Sequence, residues 1–262
     1  MLLDTIILVV RETIEAGLLM SVLLSISKQH KRTSYWLFFG VVFGAIAARF
    51  YSLNFRTISE SFDYTGQELL NAMLQFSSYC LMMMIIVWLI LGIAERKRSL
   101  VLVFVVAITL TVTQELTEIM ILYTGFFQSG VQAQQVLTSG FVGLTIGISF
   151  GVICFHMITA WEGRVSKTIQ ITALAFIACR VLVQAIQRLN QVDWISTGKP
   201  LWNSAWLLNE SSLMGQVAYA IVGYEATPSM LEVVAYALTL IIVFVFAISI
   251  NKPHRVRAKN EI

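Results

Sequence analysis

About seven times along its 262 residues the chain runs for about 20 residues with scarcely a charge, long enough as a helix to cross a hydrocarbon layer of about 30 Å. The stretches fall at roughly 4–26, 35–54, 68–94, 100–124, 135–160, 168–190 and 229–250. Composition agrees: charged residues are 13% of the chain, hydrophobic residues 57%, and mean hydropathy is +0.77, whereas a soluble domain carries about 25% charged residues. The expected fold class is an all-α polytopic membrane protein of about seven transmembrane helices, embedded in lipid. A nucleic-acid binder is excluded, because the formal net charge is only +3 and the basic residues sit in short runs between apolar stretches.

Those runs predict orientation. Lys28, Lys31 and Arg32 follow the first stretch, Arg96 to Arg98 the third, Arg164 and Lys167 the fifth, and Lys252, Arg255, Arg257 and Lys259 the seventh; the alternate loops hold only Arg56 and Lys199. By the positive-inside rule the amino terminus lies outside and the carboxyl terminus in the cytoplasm. The outer side is acidic, with Asp4, Glu60, Asp63, Glu68, Asp193, Glu210, Glu225 and Glu232 on or near it. Collecting a cation is one use for such a face; solvating the loops is another. Arg11, Glu12 and Glu15 interrupt the first stretch, which has neither a basic leader nor a cleavage site, so it is expected to remain as a helix.

The chain reads as a single transmembrane domain, 1–262: a three-helix repeat at 1–94, a second, inverted one at 100–190, and an outer loop or half-helix, a seventh helix and a basic tail at 191–262. Two features match in order. Helix one carries Arg11-Glu12-Thr13-Ile14-Glu15 and helix four Gln114-Glu115-Leu116-Thr117-Glu118; helix two has small residues at Gly40, Gly44 and Ala48, and helix five at Gly143, Gly147 and Gly151. Small residues four apart let helix backbones approach closely.

Glu12 and Glu15 share one helix face, as do Glu115 and Glu118. Asp4 to Glu12 is eight residues, about 12 Å of rise, and so is Tyr123 to Glu115, which places both pairs at one level if the helices are neighbours. Burying a carboxylate in a membrane helix costs about 2.5–3.5 kcal/mol. Arg11, Arg180 or Arg49 can offset part of that, and a passing cation can offset more. Carboxylates suit hard cations, and no His or Cys stands near either pair at metal-ligand spacing. Helix six carries a polar stripe of Arg180, Gln184 and Gln187, with Arg188 beside it, and helix three begins with Gln67, Glu68, Asn71 and Gln75. Each stripe either lines a hydrated path or bonds neighbouring helices.

These residues resemble the high-affinity iron permeases, the oxidase-dependent iron transporters whose seven-helix members carry an RExxE motif on helix one and another on helix four. Residues Arg11 to Glu15 look like the first motif, and Glu115 with Glu118 like the second. The segment Gly223-Tyr224-Glu225-Ala226-Thr227-Pro228-Ser229, with Glu232 and Tyr236, is similar to the family's approach to helix seven. The resemblance implies a permease of the cell membrane, not an enzyme. It would import ferric iron (Fe3+), its substrate, on the motif glutamates, delivered by an extracytoplasmic iron oxidase or iron-binding protein. The second motif departs from the pattern with Gln114 in place of Arg. Three other readings stay open: a permease for another hard cation, a membrane-embedded di-iron or other redox enzyme, and a sensor that binds metal without transporting it.

The stretch from Ser211 to Val222 is too short to span and is expected to form a half-helix or re-entrant segment, or else a surface helix; Ser229 to Glu232 fits a capping box opening helix seven.

Overall fold

The computed structural model describes residues 2–94, 99–128, 133–210 and 212–251. Among them it is all-helical, with nine helices in chain order: α1 (Leu2–Gln29), α2 (Tyr35–Leu53), α3 (Phe55–Tyr64), α4 (Gly66–Leu91), α5 (Ser99–Gln128), α6 (Ala133–Thr159), α7 (Gly163–Gln191), α8 (Leu213–Val222) and α9 (Met230–Asn251). Six of them (α2, α4, α5, α6, α7 and α9) are long and apolar enough to cross a membrane, which makes this a multi-pass membrane protein. The seventh expected span is α1, whose 28 residues suffice in length but include Arg11, Glu12 and Glu15. The basic runs at 95–98 and 252–262, part of the orientation argument, lie outside the described residues.

The long helices pair: α1 runs along α6, α2 along α5, and α4 along α7. Exchanging the first three long helices for the next three leaves this pairing unchanged. The small-residue stripes form the seams. A Cβ on Gly44 would lie 2.7 Å from the Cβ of Val112, and one on Gly143 would lie 2.8 Å from the Cβ of Val9. Val112 and Val9 each stand three residues before the first glutamate of a motif, so Gly44 and Gly143 are the matching pair, one step off the register that glycine order suggests. Gly147 receives Thr13, and Gly151 faces Gly17 backbone to backbone. Hydroxyls reinforce the contacts, with Ser21 Oγ donating to the Gly151 carbonyl (2.6 Å) and Thr113 Oγ1 to the Gly44 carbonyl (3.4 Å).

Two elements depart from the expected seven-stretch plan. α3 occupies what reads as a loop after α2, and it kinks at Ser61, Phe62 and Asp63. α8 is a short helix within the stretch expected to be too short to span, docked against α1 and α7, with Ala220 fully buried. Ser212 caps its start by accepting from the Gly215 N–H (3.0 Å), and Gly223 ends it at φ +68°, against the backbone of Arg180. The capping box of α9 forms as expected: the Ser229 N–H donates to Glu232 Oε2 (2.7 Å), and the Glu232 N–H to Ser229 Oγ (3.4 Å).

Candidate metal centre

Close approach of α1 to α5 brings the two motifs together. Carboxylate oxygens of Glu12, Glu15 and Glu115 lie within 4.8 Å of one another, Glu12 and Glu15 fully buried and Glu115 partly so. The group contains no His or Cys, so the donor set is oxygen alone, the kind that favours hard cations. The Oε1 atoms of Glu12 and Glu15 make no aligned hydrogen bond but face the Arg11 guanidinium.

Glu118 stands apart from this trio and is ion-paired with Arg188 of α7. It remains about a quarter exposed. The four sequence candidates thus divide into three convergent carboxylates and one flanking one.

The cationic partners come mainly from α7, whose stripe answers the glutamates one by one. Arg180 pairs with Glu15, and Gln184 Nε2 donates to Glu15 Oε2 (3.2 Å). One turn further, Gln187 Nε2 donates to Glu225 Oε2 (2.8 Å), and Arg188 reaches Glu118. Arg11 lies 3.0 Å from Glu12 and 3.7 Å from Glu15. Four carboxylates therefore face three guanidiniums, a local charge near −1 when all are ionised. Arg188 was legible only as a neighbour of the polar stripe, and nothing in its spacing named Glu118 as its partner.

Gln114 takes no part in the cluster. Its Nε2 donates to the backbone carbonyl of Asn71 on α4 (3.2 Å), so this position fastens two helices. Glu68 is half-buried in the first turn of α4 and makes no hydrogen bond or ion pair to the cluster among the described residues. Its neighbours on that stripe serve helix packing: the Tyr51 hydroxyl donates to Asn71 Oδ1 (2.9 Å).

Above the cluster lies a cavity of about 480 Å³. Glu210, Glu225 and Glu232 line it together with Gln187, Gln216, Tyr219 and Arg11. Glu210, Glu225 and Glu232, three of the acids expected on one face, therefore line one cavity, while Tyr219 emerges only from the folded chain. Burial pushes the Glu225 carboxyl up to about 7, with the Glu232 and Glu210 carboxylates adding to the effect. Arg11 belongs to both compartments, since it lines the cavity, contacts the two glutamates of its own motif and lies 5.7 Å from the ring centre of Tyr219 on α8.

The fold and the site together define a helical, multi-pass membrane protein with a buried, all-carboxylate cluster beneath an acidic cavity. No known family, curated protein or solved structure matches the chain.

Proposed function

We propose that this protein is a permease that carries a hard cation, ferric iron by its resemblance to the iron permeases, through the cluster of Glu12, Glu15 and Glu115. The observation that carries this reading is the convergence of three carboxylates inside a membrane bundle, faced by only two guanidiniums, those of Arg11 and Arg180. Such a site is destabilised without a cation and offers one hard, anionic ligands.

In this reading α1 is the seventh span, and the exchange symmetry of helix pairing supports an inverted three-plus-three repeat with α9 added. The positive-inside rule puts the acidic cavity on the outer face of the cell membrane and supports an outer amino terminus. A cation entering the cavity meets Glu225, Glu232 and Glu210 first. Arg11 then separates it from the buried trio. Cation approach repels the guanidinium, whose contact with Tyr219 gives it a resting place on the cavity side. Arg180 and Arg188 stay with Glu15 and Glu118, hold them in place and limit the affinity so that the cation can leave. An extracytoplasmic iron oxidase or iron-binding protein would supply the ion at the cavity mouth.

The test is uptake of radiolabelled ferric and ferrous iron into proteoliposomes by the wild type and by a Glu15→Gln/Glu118→Gln protein at matched membrane levels. Ferric uptake lost in the variant is the expected result. Uptake that survives the double change would sink the glutamate pathway. An all-oxygen site equally suits a permease for another hard cation, and competition by trivalent gallium against calcium and magnesium separates the two.

A further inference from the structure

A second cavity, of about 290 Å³, lies where α1 and α6 end and α7 begins, whereas the acidic cavity lies at the end of α7. Ser25 and Ser166 line it and are only 2% and 5% exposed. Each accepts a hydrogen bond from Gln170 Nε2, at 2.9 and 3.3 Å. Neither hydroxyl donates to any group among the described residues. Each therefore keeps a buried O–H proton without an acceptor, and the cavity is the open space to which it can turn. The amide of Gln170 is in its better orientation: one acceptor, Oε1, stays open, whereas the reverse would strand both of its N–H hydrogens.

The rest of the lining also offers donors. α7 begins at Gly163 without a side-chain cap from Glu162, and among the described residues no acceptor meets the first-turn N–H groups of Gly163, Arg164 and Val165. Lys28 lines the same space and has no ion pair among the described residues; its ammonium lies 5.6 Å from the ring centre of Phe155. The last carbonyls of α1 are engaged by the N–H groups of His30, Lys31 and Arg32, so that helix end presents donors rather than open acceptors. Glu162 is exposed at the rim, where water and salt screen its charge. Trp161 also lines the cavity and is 56% exposed, as suits an aromatic at a membrane–water boundary.

We propose that this cavity binds a phosphate group, carried by an anionic phospholipid or free in solution. Ser25 and Ser166 donate to its oxygens, the start of α7 faces it with amide hydrogens, and Lys28 supplies the charge. By the positive-inside rule the cavity opens toward the cytoplasm, the side on which anionic headgroups gather. A phosphate bound there bridges α1 to α7, the helices that carry Glu15 and Arg180. The site does not depend on which cargo the glutamates carry.

Thermal unfolding of the full chain in detergent tests this with dioleoyl phosphatidylglycerol, with dioleoylglycerol, which lacks the phosphate, and with inorganic phosphate. Phosphatidylglycerol is expected to raise the unfolding temperature saturably, and dioleoylglycerol is not. Lys28→Gln should weaken the apparent affinity at least roughly fivefold. Ser166→Ala should weaken it at least roughly tenfold, each variant being judged against its own ligand-free baseline. Lys31→Gln, exposed on the same side but outside the cavity, should leave it unchanged. Lys28 is exposed, so its change carries the test if Ser166→Ala does not fold. Saturation by inorganic phosphate with no further gain from lipid identifies free phosphate as the occupant; a gain from phosphatidylglycerol alone identifies the lipid. Equal responses to phosphatidylglycerol and dioleoylglycerol, equal losses in Lys28→Gln and Lys31→Gln, or no response to any probe overturns the site.

Discussion

Arg180 on α7 and Glu15 on α1 form an ion pair in which the side chains are only 2% and 1% exposed. Breaking one side of such a pair strands a buried charge, at a typical cost of about 3–5 kcal/mol. Arg180→Gln should lower stability by about 3 kcal/mol, since Arg11 and Gln184 still face Glu15. Arg180→Gln/Glu15→Gln should lose less than the two single changes combined. Thermal unfolding in detergent measures the cycle, and strictly additive losses would show that the pair is not coupled.

The carboxylates should not contribute equally to binding. Glu12→Gln and Glu115→Gln each remove a charge from the convergent trio and should weaken ferric binding at least roughly tenfold, on the order of 1.4 kcal/mol. Glu118→Gln should weaken it less, because Glu118 stands outside the trio and faces Arg188. Titration of the purified proteins ranks them, and a larger effect at Glu118 would place the cation elsewhere.

The α1–α6 seam depends on the absence of a side chain. Gly147→Ala would place its Cβ 2.5 Å from the Cβ of Thr13, and overpacking of this kind costs about 1–3 kcal/mol. Gly125→Ala, where nothing lies within 4 Å of the added atom, should be neutral or stabilising. Equal unfolding temperatures for the two variants would contradict the seam.

The vestibule should respond to pH through Glu225. Its carboxyl is held up near 7, so its negative charge is present above that pH and lost as pH falls through it. Cation capture at the cavity should therefore decline between about pH 8 and pH 6 in the wild type. Glu225→Gln should be weaker at high pH and show a flatter profile. Taking the ratio of variant to wild-type uptake at each pH cancels the hydrolysis of iron itself, and parallel profiles would refute the assignment.

Much of the site was readable along the chain because a helix repeats every 3.6 residues, so Glu12 with Glu15, and Arg180 with Gln184 and Gln187, declare a shared face without knowledge of the fold. The short helix α8 and the capping box at Ser229 and Glu232 were readable from local sequence too. The unexpected α3 was not, because its mixed polarity resembles that of a loop. Position 114 reads as a lost arginine of the second motif, yet its side chain turns to Asn71, a choice that depends on how close α4 lies to α5.

The sequence by itself determined that the chain lives in a membrane, that glutamates lie within its apolar helices, and that small residues mark the closest helix seams. These follow from hydropathy and helical period, which act over a few turns. The tertiary structure alone decided which carboxylates converge and which guanidinium each one meets. It set Glu118 with Arg188 apart from the trio, joined Arg11 to Tyr219, and gathered Glu210, Glu225 and Glu232 around one cavity. Those pairings cross between helices far apart in the chain, and their geometry is set by how deeply Val9, Thr13 and Val112 seat against Gly143, Gly147 and Gly44.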